Sequence, residues 1–500
     1  MLRDPVLPTF PPSCRSLSPR ERTGVAVRLS WPGRVWEPGA GVGQGAPRLE
    51  VTEVPAGNRD ARDAAARLVE GDALDVAGAL AAEGLAGKVD LVYVDPPFGS
   101  QAAYTHEARL DGPADGRVVR TQAYDDRWDG SLGPYLDMLA PRLDALGHLL
   151  APGGTLWVHV DWRASYLVRV LLDEILGREA FVNEIVWRRA PNLGRQAASH
   201  QFGRTLDTLV VYGKADDKGH ARLVPPTRLE PIELGAMRQD AEGRFFTSAP
   251  RGDYSDESIA RLDAEGRVHR TASGKVYIKY FLVKDAAGVW CRERRVDALW
   301  TDVPPLRHAR PAERTGFPTQ KPRALLDRVI ACASPPGGLV VDVFAGSGTT
   351  GESAHALGRR FVLGDASPLA LATARARLQR AGVPLVVQSC GAGAAPAGKA
   401  PRVHVEREGK GARVTLEEPR EPLAWAVDAA YVAGKPFHVA WHAERAPGTK
   451  PTPATRVAEL GRATGRLGVR VWYDDGRVAT RVVDGTSAAR PQRGQDQGTS

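Results

Sequence analysis

A carboxylate, two prolines and an aromatic ring stand together at Asp95-Pro96-Pro97-Phe98, directly after the apolar run Val89-Asp90-Leu91-Val92-Tyr93-Val94. Prolines lack a backbone N–H and stiffen a turn. The segment therefore offers two acceptors, the Asp95 carboxylate and the Pro96 carbonyl, with no competing N–H from either proline. Acceptors beside an aromatic face suit one task, which is holding a planar heterocycle by its exocyclic amino group with Phe98 stacked on the ring. An ordinary strand that ends in an Asp-Pro turn has the same appearance. The run before the tetrapeptide is β-branched and aromatic and is bounded by turn residues, so it reads as a buried strand. Ligands of open α/β sheets bind at the carboxyl ends of such strands.

A second motif begins at Gly338-Leu339-Val340-Val341-Asp342-Val343-Phe344-Ala345-Gly346-Ser347-Gly348-Thr349-Thr350-Gly351. An Ala- and Leu-containing stretch follows to Gly358, and then Arg360-Phe361-Val362-Leu363-Gly364-Asp365. This is the order strand, glycine loop, helix, strand, acid. Gly346, Gly348 and Gly351 fit G-x-G-x-x-G, and Asp365 falls where a carboxylate accepts hydrogen bonds from ribose hydroxyls. A cofactor with an adenosine half is implied. A phosphate-binding P-loop is excluded, because Glu352 occupies the place that its lysine requires. On the glycines alone a dinucleotide stays open.

Phe344-Ala345-Gly346-Ser347-Gly348-Thr349-Thr350 and Asp95-Pro96-Pro97-Phe98 together resemble the paired motifs of S-adenosylmethionine-dependent DNA amino-methyltransferases, the adenine-N6 and cytosine-N4 methylases. The tetrapeptide comes about 245 residues before the glycine loop, an order that resembles the β group of that family and, within it, the modification subunits of type III restriction-modification systems. Leu68-Val69-Glu70-Gly71-Asp72-Ala73-Leu74 resembles the strand-and-acid segment upstream of the tetrapeptide. Gly316-Phe317-Pro318-Thr319-Gln320-Lys321-Pro322 resembles the segment that closes over the methionine end of the cofactor. Asn183–Arg188 and Thr205–Lys214 are similar to segments of modification-subunit-like members. Phe98 departs from the commoner Tyr, keeping the ring and losing the hydroxyl.

The resemblance implies an α/β, Rossmann-like methyltransferase fold with a seven-stranded mixed sheet in circularly permuted motif order. It assigns Asp95, Pro96, Pro97 and Phe98 to catalysis. It assigns Asp72, Thr319, Lys321, Pro322, Asp342, Phe344, Gly346, Ser347, Gly348, Thr349 and Asp365 to S-adenosyl-L-methionine. The expected organisation is a disordered tail over 1–60, a catalytic half over 61–214, a target-recognition region over 215–300 and a cofactor-binding half over 301–388. A linker over 389–400, a small β-rich domain over 401–486 and a disordered end over 487–500 complete it.

Within that plan, spaced leucines between Ser131 and Leu150 predict an amphipathic helix ended by Pro152-Gly153-Gly154, with a strand at Thr155–Val160. His159 reads as a strand-end residue rather than a catalyst. Residues 99–130, with Tyr104, Tyr124, Asp125, Asp126, Arg127 and Trp128, read as a long polar loop, which the resemblance places over a flipped base.

Composition agrees with a multi-domain globular chain: 500 residues, 43% hydrophobic, net charge +8. The basic balance favours a polyanionic partner, and residues 188–300 carry 20 Lys+Arg against 15 Asp+Glu. Cys14, Cys291, Cys332 and Cys390 are widely separated and form no C-x-x-C, so neither a zinc site nor a disulfide framework is indicated. None follows a proline, so the Pro-Cys nucleophile of the 5-methylcytosine enzymes is missing. No apolar run reaches the length needed to span a bilayer, and a cytoplasmic location is expected.

The expected reaction is direct transfer of a methyl group to adenine N6 in double-stranded DNA, after the base is flipped. Adenine is preferred to cytosine N4 because an Asp-initial tetrapeptide is typical of the adenine enzymes. An RNA base methyltransferase, a nicotinamide-dependent dehydrogenase and an inactive DNA-binding subunit are the rivals. A homodimer and a separate restriction subunit are expected partners without a signal of their own, and no membrane or metal is expected.

Overall fold

The computed structural model describes residues 28–39, 47–55, 64–98, 103–110, 117–126, 132–191, 200, 202–233, 235, 237–391, 397–419, 422–444 and 456–484. They form two compact units, one made of Val224–Trp300 and the other of the described residues on either side.

The larger unit is built on a mixed sheet. Its strands in chain order are β1 (Leu49–Pro55), β2 (Ala66–Glu70), β3 (Val89–Val94), β4 (Leu150–Asp161), β5 (Phe181–Arg188), β6 (Leu206–Gly213), β7 (Leu339–Asp342), β8 (Arg360–Asp365), β9 (Val386–Cys390) and β10 (Phe437–Val439). The spatial order is β5-β6-β4-β3-β7-β8-β2-β9-β1-β10. From β4 to β9 neighbouring strands run parallel, while β6 is antiparallel to both β4 and β5. The sheet is therefore α/β as expected but wider than seven strands, since β9, β1 and β10 continue it beyond β2. Parallel strands are covered on both faces and read as near-continuous apolar runs, which is why Leu91, Val92, Val94, Val340 and Val341 are all fully buried.

Six helices matter to the site: α1 (Ala73–Leu80), α2 (Gly133–Leu149), α3 (Ser165–Leu176), α4 (Arg323–Ala333), α5 (Thr349–Ala356) and α6 (Pro368–Arg380). The leucines of α2 bury Leu136, Leu139, Leu143 and Leu146 against α1, α3 and alternate strand residues Val92, Val94, Leu156 and Val158. Pro152-Gly153-Gly154 does not separate helix from strand as expected. It lies inside β4 and shifts the register, so that Val89 faces Leu150 and Leu91 already faces Thr155.

Two stretches read as tail are held in place. Trp31 Nε1 donates to Asp137 Oδ1 at 2.8 Å, and Arg34 Nη2 pairs with Glu174 Oε1 at 2.6 Å. In β1, Glu53 is buried and takes Arg375 of α6 at 2.9 Å and 2.6 Å. The Arg375 guanidinium also stacks 3.4 Å from the Trp472 ring. These long-range pairs supply the order that a Pro- and Gly-rich composition does not announce.

Among the described residues between 402 and 483 lie a three-stranded and a four-stranded antiparallel sheet around Val414, Leu416, Trp425, Val427, Leu467 and Val469. Ala424, Ala426, Phe437 and Trp472 pack on Ala372 and Ala376 of α6, and β10 joins the main sheet beside β1. The region after the tetrapeptide, expected as a loop, contains the antiparallel strands Ala103–Leu110 and Arg117–Asp125; Arg127 and Trp128 lie outside the described residues.

The second unit is an antiparallel sheet ordered Arg238–Gln239, Phe245–Pro250, Val276–Lys284, Trp290–Arg295, Thr227–Pro231, with Val268–Arg270 paired to Val276–Lys284. Helix Asp256–Ala264, capped by Ser255 Oγ, buries Ile259 and Leu262 with Val268 and Ile278. Its bounds, 224–300, fall inside the expected 215–300.

Candidate active site

Adjacent parallel strands β2, β8, β7 and β3 end in Asp72, Asp365, Asp342 and Asp95 or in the turn just after, so four carboxylates meet on the carboxyl edge of the sheet. The register puts Val341 beside Val92 and Asp365 beside Glu70. A cavity of about 370 Å³ opens there, lined by Asp95, Pro96, Pro97, Phe98, Asp72, Thr319, Lys321, Asp342, Phe344, Gly346, Ser347, Thr349 and Asp365 of the expected set. Pro322 and Gly348 are not on its wall: Pro322 is the N-cap of α4, and Gly348 faces α6. Tyr93, Met138, Arg142, Phe317 and Leu326 also line it and were not anticipated. Arg142 lies 70 residues from its partner Asp72, a pairing without a local sequence signal. Phe317 lies in the quoted segment and could have been found there.

Each carboxylate is differently held. Asp95 Oδ2 accepts from Lys321 Nζ, whereas its Oδ1 is buried without a hydrogen-bond partner among the described residues. Lys321 Nζ also lies 5.0 Å from the centre of the Phe98 ring. Asp72 caps α1 through Leu74 N at 2.9 Å and pairs with Arg142 Nη2 at 2.5 Å. Asp365 accepts from Gly346 N through Oδ2 and from Ser367 N through Oδ1, both at 2.8 Å; burial pushes it up to about 6. Asp342 accepts from Phe344 N at 3.0 Å and from Thr350 Oγ1 at 2.6 Å. Burial, with the charges of Asp95 and Asp365, pushes it up to about 7.

The glycine loop turns through left-handed backbone at Gly346 (φ 50°) and Gly348 (φ 76°), conformations cheap only for glycine. A Cβ on Gly348 would stand 2.8 Å from the Ala374 Cβ, so the close approach to α6 needs glycine as much as the turn does. The hydroxyls of Ser347 and Thr349 are engaged within the protein: Arg377 Nη1 donates to them at 3.3 Å and 2.7 Å, and Thr349 donates to the Lys321 carbonyl at 3.2 Å.

The segment before α4 is pinned by Gln320, whose Oε1 accepts from Thr315 N and whose Nε2 donates to Glu313 O. It carries Thr319 at φ 61°, a left-handed conformation that a β-branched residue adopts only under strong constraint. That turn delivers Lys321 to Asp95. His159 is neither a cavity residue nor the end of its strand; it is fully buried between Tyr93 and Asp207.

Among the described residues no helix is long and apolar enough to cross a membrane. The chain is similar to the Type II methyltransferase M.EcaI of Enterobacter cloacae, 26% identical over 58% of this chain and 64% of that protein. It is also similar to the Type III restriction-modification enzyme StyLTI Mod subunit of Salmonella typhimurium, 25% identical over 57% of this chain and 49% of that one. It thus spans less than two thirds of the length of either relative. Among solved structures, the M1.HpyAVI–SAM complex is 17% identical at a TM-score of 0.33, covering 62% of this chain and 98% of that one. PvuII DNA methyltransferase (cytosine-N4-specific) is 15% identical at 0.33, covering 65% and 89%. Neither structural likeness carries the assignment. The DNA methylase family of N6/N4 methyltransferases matches residues 89–375, from β3 through the glycine loop to α6, and on that extent the chain belongs to it.

Proposed function

We propose that this chain methylates the exocyclic N6 amino group of adenine in double-stranded DNA, with S-adenosyl-L-methionine as methyl donor. The observation that carries the reading is the Asp95 carboxylate on the wall of the cavity, with Oδ1 unpartnered among the described residues, the glycine loop after the adjacent strand β7 and the Asp365 carboxylate two strands away.

The site fits an adenosyl cofactor: Asp365 at the end of β8 is an acceptor for ribose hydroxyls, and Gly346 gives close backbone approach. Asp72, Asp342, Phe344, Ser347 and Thr349 line the same wall, Gly348 shapes the loop, and Pro322 starts the helix behind Lys321 and Thr319. When bound, S-adenosyl-L-methionine supplies a methyl group activated by its sulfonium.

An aromatic amine is a poor nucleophile because its lone pair is delocalised into the ring. Asp95 and the Pro96 carbonyl accept its N–H bonds and draw the nitrogen toward tetrahedral geometry, and the carboxylate offsets the positive charge that develops there until the methylated nitrogen releases one proton to solvent. Pro96 and Pro97 present no N–H that would compete. The amino group is inside the duplex, so the base is flipped out to reach the cavity, and Phe98 stacks on it. Alignment of nitrogen and methyl carbon provides much of the remaining rate, and Pro97, Phe317, Phe344 and Leu326 keep the site dry.

Adenine is favoured over cytosine N4 by the Asp-initial tetrapeptide. Target recognition is assigned to the unit at 224–300, which interrupts the methylase segment between its two halves. The likeness to a Mod subunit supports a restriction partner, and a homodimer and a cytoplasmic location accompany that reading. Methylation-sensitive sequencing of DNA from an expressing host tests the whole proposal. The expected result is N6-methyladenine in one sequence context; host DNA without new modified adenines counts against it.

A further inference from the structure

Asp95, Phe98 and Lys321 all line the cavity, and the Lys321 ammonium sits against the two side chains assigned to the base. Nζ donates to Asp95 Oδ2 and lies 5.0 Å from the centre of the Phe98 ring, within cation–π range. It donates again to the Thr319 carbonyl at 3.4 Å. Among the described residues its ion pair is with Asp95 and not with Asp72, Asp342 or Asp365, the carboxylates assigned to the cofactor.

Main chain and side chain of Lys321 thus serve different parts of the site. Its carbonyl accepts from Thr349 Oγ1 at 3.2 Å, at the start of α5, while its side chain reaches the segment after β3. The backbone is fixed by the left-handed turn at Thr319 and by the hydrogen bonds of Gln320. Only 10% of the Lys321 side chain is exposed, so the ammonium is held in place. An ammonium has three N–H donors and no acceptor. Two have partners, and one remains for a ligand, beside a carboxylate whose Oδ1 has no partner among the described residues.

An acceptor and a donor side by side match a heterocycle that carries an amino group next to an unprotonated ring nitrogen. Adenine has that pair in N6 and N1, on the Watson–Crick edge by which flipped bases are read. On the same edge thymine and guanine carry a hydrogen on the ring nitrogen, and two donors facing one another leave both unpaired, the costly case. Cytosine shares the pair as N4 and N3, so this device separates amino bases from keto bases and not adenine from cytosine.

We propose that Lys321 is a specificity-determining residue that donates to N1 of the flipped adenine while Asp95 Oδ1 and the Pro96 carbonyl accept from N6. The proposal rests on Asp95 being the acceptor of the amino group. It moves the Lys321 side chain from the cofactor, where the resemblance of its segment put it, to the base, and it lets the lysine keep its place on Oδ2 during the reaction.

Duplex DNA with 1-deazaadenine at the target position tests it, because N1 becomes C–H and the amino group stays. The analogue lacks the acceptor that thymine uses and leaves the duplex more easily than adenine, so a loss of turnover does not come from flipping. Wild type should lose roughly 10-fold or more in kcat/KM on 1-deazaadenine and use 7-deazaadenine within about 3-fold of adenine. Lys321→Met should be slower on adenine yet treat adenine and 1-deazaadenine within about 3-fold of each other, since the partner of N1 is gone. Its Kd for S-adenosylmethionine should stay within about 3-fold of wild type. A lysine whose whole task is to pair with Asp95 would slow both bases alike, so equal discrimination in the two enzymes overturns the proposal. Wild-type turnover undiminished on 1-deazaadenine, or diminished on 7-deazaadenine instead, overturns it as well. Should Lys321→Met turn over too slowly to compare, binding of the same duplexes with S-adenosylhomocysteine present gives the same comparison. Should it fail to fold, Lys321→Arg, which keeps the cation and shifts its donors, takes its place with the same expectation of narrowed discrimination. A wild-type enzyme that methylates no base defeats the Asp95 reading instead, whereas N6-methyladenine formed with unchanged discrimination in the variant defeats only this inference.

Discussion

Lys321, 226 residues further along the chain, places its ammonium on Oδ2 of Asp95. One oxygen of the carboxylate is thus committed to a cation and the other is left as an acceptor without a partner among the described residues, and the ion pair joins the Asp95–Phe98 segment to the segment before α4. An amino group that is to use both oxygens must displace Lys321. Asp95→Asn puts an NH2 where acceptors are needed. We expect kcat to fall by about 10²–10³-fold while S-adenosylmethionine affinity changes by no more than a few-fold. Radiolabel incorporation and calorimetric titration check the two halves, and undiminished turnover would contradict the role.

Phe98 is part-buried against the core and borders His159. Phe98→Ala should cost about 1–3 kcal/mol of base stacking, seen as weaker binding of DNA carrying the target base, whereas Phe98→Tyr should bind and turn over nearly as wild type. Equal losses in both would indicate a packing role.

Asp342 gives a pH signature. Its value is raised from 3.8 to about 7, with burial as the first cause, so between those values the folded protein keeps a proton that the unfolded chain has released. Its contribution is fully present below about pH 4 and is lost as pH rises through about 7, on the order of 2–4 kcal/mol. Asp342→Asn removes that dependence. Thermal unfolding of the cofactor-free protein at pH 5.5 and 8 should show a smaller decline in the variant and a variant more stable than wild type at pH 8. Identical declines would contradict the assignment.

Glu53 and Arg375 connect β1 to α6 within the core. Glu53→Ala leaves the guanidinium buried and without its carboxylate, so about 3–5 kcal/mol of stability should be lost, read from the urea midpoint. A loss below about 1 kcal/mol would show that the pair does not hold β1 in place.

Sequence reasoning reached the parts whose signals are local. The tetrapeptide and the glycine loop could be read because parallel strands are continuous apolar runs that end in turn residues, and the sheet brings those ends side by side. Asp72, Asp95, Asp342 and Asp365 meet there as the strand order requires. What was missed depends on distant partners. β1 has no marked pattern and is fixed by Arg375, while Arg142 reaches Asp72 from another helix. His159 looks like any strand residue until Tyr93 and Asp207 are seen on either side. The width of the sheet was missed for the same reason, since Phe437–Val439 is too short to announce itself as part of a sheet begun by Leu49–Pro55.

On the proposed function, Asp95 presents an amino group of a DNA base for methylation. The most direct measurement is incubation of wild type and Asp95→Ala with duplex DNA and methyl-labelled S-adenosylmethionine, followed by mass analysis of the nucleosides. N6-methyladenine is expected with wild type and none with Asp95→Ala. Label confined to RNA, label on a ring carbon, or equal N6-methyladenine from the two proteins would contradict it.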